Sequence, residues 1–167
     1  MARVWLFGED VDTDQIVPGR YAPYMTSEEE LGKYPFVEAR PEFAKEVRPG
    51  DIIVAGKNFG CGSSREYAPK ALKVVGIGAI IAPSFARIFF RNALSLGIPL
   101  FEADLTQEVT DGEQVELHLD TYELVTSHGT YELPEPPEFV REIWREGNLI
   151  RYYRKYGRFP GQVEDRP

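Results

Sequence analysis

The densest run of chemically competent side chains is Asn58, Phe59, Gly60, Cys61, Gly62, Ser63, Ser64, Arg65 and Glu66. Gly60 and Gly62 lack a Cβ, so backbone there can approach a bound group closely. The hydroxyls of Ser63 and Ser64 and the guanidinium of Arg65 match a carboxylate, and a helix starting at this point would add unpaired N–H groups. Such a site suits a di- or tricarboxylate. Two phosphate-binding motifs do not fit the run. A dinucleotide fingerprint needs glycine where Arg65 stands, and a P-loop needs lysine followed by serine or threonine after its last glycine. A purely local role is open as well, because Ser63 with Glu66 three residues on has the pattern of a helix capping box. Upstream, Asp12, Thr13, Asp14 and Gln15 form a second polar group, in which Asp14 fits an Asx turn or a helix cap.

These residues need elements to hold them. An apolar strand over 52–54, a loop over 56–62 and a helix from 64 to about 75 bracket the first run. A second strand over 79–82 follows, then a helix opened by Pro83 and Ser84, with Phe85, Ile88, Phe89 and Leu96 at helical spacing and Gly97 as its stop. Strand, helix, strand, helix in this order predicts a βαβ unit on a parallel sheet. Before it, Val4 to Phe7 predict a strand ended by Gly8, and the polar segment from Asp12 to Gly19 predicts a long loop interrupted by Pro18. Pro23, Pro35, Pro41 and Pro49 leave room only for short helices near 27–33, capped by Ser27, and near 41–47. Residues 114–133 alternate apolar and polar with turn signals at Asp111–Gly112 and His128–Gly129, which predicts an antiparallel appendage. A final helix or helix pair carries Phe139, Ile143, Trp144, Leu149, Tyr152 and Tyr153, ahead of a polar tail from Gly161. The expected class is α/β, a single domain over 1–167 with an ordered core at about 4–161.

At 167 residues, 43% of them apolar, the chain can bury a sizeable core. Its formal net charge of −8 disfavours nucleic acid and anionic membranes as partners. One cysteine, Cys61, excludes an internal disulfide and cannot alone hold an iron–sulfur cluster or a structural zinc. The longest apolar run, 74–82, falls far short of the ~20 residues that span a bilayer. A cytoplasmic protein is expected.

Three separated stretches, Val11 to Pro18, Gly60 to Pro69 and Ser84 to Pro99, together resemble the small subunit of 3-isopropylmalate dehydratase and of its relative homoaconitase, in the aconitase superfamily. The resemblance runs from about Val4 to Gly161. It implies a swivelling β/β/α domain that closes over a large subunit carrying a [4Fe–4S] cluster, with no cofactor or metal held by this chain. It further implies Ser63 as catalytic base, Arg65 as the grip on a substrate carboxylate and Ser64 as a substrate contact. The implied reaction isomerises a 2-hydroxy acid to its 3-hydroxy isomer by loss and readdition of water. A serine alkoxide would need a helix N-terminus and positive charge to stabilise it. By the same resemblance Asp14 lies on a loop reaching the active site, where it could orient a partner-chain residue. Arg20, Tyr21 and Pro23 fall where relatives vary with substrate. Pro23 has neither the arginine of many homoaconitase-like members nor a clear isopropyl-facing residue. Arg20 could meet an extra carboxylate or belong to the surface.

Overall fold

Ile52, Ile53 and Val54 contain no polar residue to turn toward water, the pattern of a strand covered on both faces. They form β2 (Ile52–Val54), fully buried in the computed structural model, which describes residues 1–63 and 65–161. β1 (Ala2–Leu6) lies parallel to β2 with Trp5 opposite Ile53, and β3 (Ala79–Ala82) lies parallel on the other side with Ile80 opposite Ile53. β4 (Leu100–Glu102) completes the parallel set, Phe101 opposite Ile81. On the far flank of β1 run antiparallel β5 (Gln114–His118), β6 (Glu123–Thr126) and β7 (Gly129–Glu132). The parallel core and the antiparallel appendage are therefore one mixed sheet, ordered β4-β3-β2-β1-β5-β6-β7.

The pleat sorts side chains into two cores. Trp5, Ile53 and Ile80 point to the face shared with Ile16, Phe36, Phe43, Phe59, Leu72 and Phe89, whereas Val4, Ile52, Val54 and Ile81 point to the face shared with Phe101, Val115 and Leu124. The first face is covered by α1 (Thr13–Ile16), α2 (Glu28–Leu31), α3 (Glu42–Glu46), α4 (Tyr67–Val74) and α5 (Arg87–Ser95), and a 3-10 turn over Gly19–Tyr24, with none of its residues buried, links α1 to α2. The chain then adds the helix pair α6 (Glu138–Glu146) and α7 (Leu149–Tyr156), joined at Gly147 and Asn148.

Several expectations shift. The segment predicted as a long loop holds α1, because Asp12 accepts from Gln15 N–H while Gln15 returns the bond to Asp12 N–H. The helix expected from 64 starts only at Tyr67, with no side-chain cap at Glu66. Pro69 explains the delay. It lies in the first turn of α4, where a helix needs no N–H from it; a start at 64 would put it in the second turn, at a cost of about 3 kcal/mol. The next helix likewise starts at Arg87, since Ser84 and Phe85 are engaged with the loop at Asn58 and Phe59. Ser27 caps α2 as expected. β4 has no counterpart among the expected elements because Leu100, Phe101 and Glu102 form neither a wholly apolar run, as β2 does, nor an alternation long enough to recognise. Most of the expected polar tail lies outside the described residues.

The N-terminal ends of β1 and β2 are tied together by the buried Asp51, whose carboxylate accepts from Arg3 N–H at 3.2 Å, Trp5 Nε1–H at 3.1 Å and Arg48 N–H at 3.0 Å. Asp51→Ala strands these donors and is expected to lower stability by about 3 kcal/mol. Urea unfolding should show a lower midpoint at unchanged m-value; an unchanged midpoint would remove Asp51 from the account.

Candidate active site

The loop between β2 and α4 is held by bonds to two other crossings of the chain. Asp10 N–H donates to Lys57 O, Gly60 N–H to Val11 O and Thr13 N–H to Cys61 O, at 2.7 to 2.9 Å, which fixes one side. On the other, Phe59 N–H donates to Ser84 O and Ala86 N–H to Phe59 O. The Phe59 ring is fully buried against Phe85 and Phe89. Gly60 is obligatory: its φ is +84°, and a Cβ there would stand 2.2 Å from Phe89 Cγ. The glycines thus serve a tight crossing, and this crossing projects the next residues outward.

Ser63 emerges exposed. Its side chain is not the cap of α4, so the capping-box alternative is discarded. The expected stabilisation by the helix start is also corrected, since α4 begins beyond Ser63, at Tyr67. The neighbour of the Ser63 hydroxyl is instead Thr13, whose Oγ1 lies 3.2 Å from Ser63 Oγ and 3.0 Å from Ser63 O. Thr13 is 2% exposed and shares with Asp51 the distinction of a buried polar side chain among the described residues. Nothing in the order of residues singled out Thr13 within its polar group; the available signal was the D-x-x-Q capping box, which makes Thr13 the first helical position.

Asp14, next in the chain, takes Arg65. Its Oδ1 accepts from Arg65 Nη1 at 2.8 Å and from Gly19 N–H at 3.0 Å. The Gly19 N–H, joined by the Arg65 guanidinium and by Arg20, holds the Asp14 carboxyl below its ordinary range against the opposing effect of desolvation. Arg65 leans against the α-carbon of Gly19, and its guanidinium carbon lies 6.0 Å from the Tyr67 ring centre. Asp14 is therefore placed to orient this chain's own arginine. Ser63 and Arg65 are thus anchored on consecutive residues, Thr13 and Asp14.

The remaining candidates are more distant. Arg20 forms an ion pair with Glu38 and lies close enough to Asp14 to contribute to holding its carboxyl down. The Tyr21 ring stacks on Tyr34 at 5.0 Å, with its hydroxyl 3.5 Å from Arg20 Nη2. Pro23 is exposed within the 3-10 turn. Ser64 lies outside the described residues. Burial, then Asp12 and Asp10, push the Cys61 thiol up, so it stays protonated at neutral pH. With one such thiol in the chain, and no group of three metal-binding side chains among the described residues, the donor set does not fit a cluster. None of the described helices is long and apolar enough to cross a membrane.

Gly19→Ala tests the anchoring of Arg65. The new Cβ would fall 2.2 Å from Nη1, the far end of a flexible side chain, so the guanidinium must swing away while the fold persists. Stability should change by less than about 0.5 kcal/mol. A carboxyl 13C titration should find the Asp14 pKa raised toward the unperturbed ~3.9, and an unmoved titration would contradict the contact.

Comparison with known proteins places the chain in a family. Residues 12–103, which include Thr13, Asp14 and the glycine loop, match the family model of the aconitase C-terminal domain. The chain is 52% identical over 162 residues to 3-isopropylmalate dehydratase small subunit 1 of Deinococcus radiodurans, covering 97% of this chain and 92% of that one. It is 53% identical over 163 residues to the homoaconitase small subunit of Thermus thermophilus, covering 97% and 100%. The crystal structure of 3-isopropylmalate dehydratase from Methanocaldococcus jannaschii superposes with a TM-score of 0.86 at 44% identity, over 93% of each chain. The chain belongs to the aconitase superfamily, among the small subunits of 3-isopropylmalate dehydratase and homoaconitase.

Proposed function

We propose that this chain is the small subunit of a 3-isopropylmalate dehydratase type hydro-lyase, supplying Ser63 as the base and Arg65 as the carboxylate clamp. The observation that carries the reading is the pairing of an exposed hydroxyl, unspent as a helix cap, with a guanidinium held on the adjoining residue's carboxylate. The substrate carboxylate meets the face of Arg65 that Asp14 leaves open, and a planar fork binds such a group with two parallel bonds. Ser63, deprotonated, takes a proton from carbon, the adjoining hydroxyl departs, and water returns in the opposite sense. The cluster that accompanies this family is assigned to a large subunit, because this chain has a single cysteine. The whole chain acts as one swivelling domain in the cytoplasm, with the exposed Ser63 side turned to that partner.

Isopropylmalate is favoured over homoaconitate because Glu38 already satisfies Arg20 and because Pro23 presents only carbon. A third carboxylate would have to draw Arg20 from Glu38, and the near-equal identities to the two kinds of relative do not choose between them. A carboxylate-binding module without catalysis would need Arg65 but not Ser63. Ser63→Ala, reconstituted with the large subunit, should therefore lose about a thousandfold in kcat. Its unfolding free energy should move by less than about 0.5 kcal/mol, as at other exposed positions. Wild-type turnover in that variant would defeat the catalytic assignment.

A further inference from the structure

The buried threonine beneath Ser63 has a single hydroxyl proton and two acceptors within reach, Ser63 O at 3.0 Å and Ser63 Oγ at 3.2 Å. The bond to the carbonyl can run only from Thr13, because a carbonyl has no proton to give. With that proton committed, the Thr13–Ser63 side-chain contact must run from Ser63 Oγ–H to Thr13 Oγ1. The neutral serine thus turns its proton inward and its free lone pairs outward.

The geometry points to Thr13 as the positioning residue that sets the proton affinity of Ser63, an inference that rests on Ser63 being the base. When Ser63 loses its proton to solvent, Thr13 Oγ1 has no bond left to accept. Rotation about its Cβ–Oγ1 bond moves its own proton from Ser63 O to the alkoxide Oγ. Thr13 keeps that proton throughout, so it stabilises the anion without transferring charge. The rotation exchanges the bond to Ser63 O for a stronger one to an anion, while burial and the Thr13 N–H bond to Cys61 O keep the residue itself in place. When Ser63 takes the proton from carbon, Thr13 turns back to the carbonyl. No other described side chain is bonded to the Ser63 hydroxyl.

Threonine in place of valine at a closed position is itself informative. Thr13 is enclosed, and its β-branched shape alone would be filled as well by valine. The hydroxyl is the part that needs a reason.

The test uses Thr13→Val and Thr13→Ser, each assembled with the large subunit and assayed across pH. Thr13→Val should lose about a hundredfold in kcat, as when one donor to a developing oxyanion is removed. Its KM should stay within twofold of wild type. The limb of the kcat profile that reports the base should move to higher pH, since the alkoxide is less well stabilised. Thr13→Ser, which keeps the hydroxyl, should restore the profile. Equal impairment of both variants with an unmoved pH limb would overturn the inference in favour of a packing role, as would a Thr13→Val enzyme with wild-type kcat. The Ser63→Ala enzyme separates the two claims. If it is inactive while Thr13→Val is normal, only the role of Thr13 falls; if it retains wild-type turnover, both fall.

Discussion

The architecture of the site depends on one crossing: the turn from Val11 to Asp14 bonded across the glycine loop from Phe59 to Ser63. Gly60 N–H to Val11 O and Thr13 N–H to Cys61 O act as the rungs of a short improvised ladder, and Phe59 pins the loop into the core below. The sheet makes this arrangement rigid. β1 and β2 lead directly into the two crossing segments, and their parallel register brings Leu6 opposite Val54 before the chains diverge. A displacement of the crossing would move Ser63 and Arg65 together, because their partners are adjacent in sequence.

The forces involved differ in kind. The core residues supply the stability, with Trp5, Ile53, Phe59 and Ile80 all withdrawn from water. The Asp14–Arg65 pair contributes little to stability, since the Asp14 side chain is 65% exposed and such pairs are worth at most about 1 kcal/mol. Its consequence is orientation. A guanidinium fixed at one edge by Asp14 and backed by the bare α-carbon of Gly19 presents its remaining donors in one direction. Thr13 does for the hydroxyl what Asp14 does for the cation, from inside the protein.

Much of the fold was legible in the residues, and for physical reasons. Ile52–Val54 and Ala79–Ala82 are continuous apolar runs, and alternation over 114–133 demands a sheet with unequal faces. The start of α4 was not legible from the Ser63–Glu66 pattern, which fits a capping box equally well; Pro69 held the deciding information. α1 was obscured by Pro18 and Gly19, although its Asp12–Gln15 capping box lies in plain view. At the site, Ser63 and Arg65 could be picked out from residue type and order as a hydroxyl and a cation beside a glycine turn. Their anchors could not, because Thr13 and Asp14 lie about fifty positions upstream, and only the parallel packing of β1 on β2 brings the two segments together.

The central claim is that this chain completes a reaction centre whose other half lies on a second polypeptide. It is tested most directly by titrating the chain into a fixed amount of cluster-loaded large subunit while following dehydration of 3-isopropylmalate through absorbance of the alkene. The account predicts no turnover by either chain alone and a rise to a saturating plateau as this one is added. Plateau activity from the large subunit by itself, or turnover by this chain by itself, would contradict it.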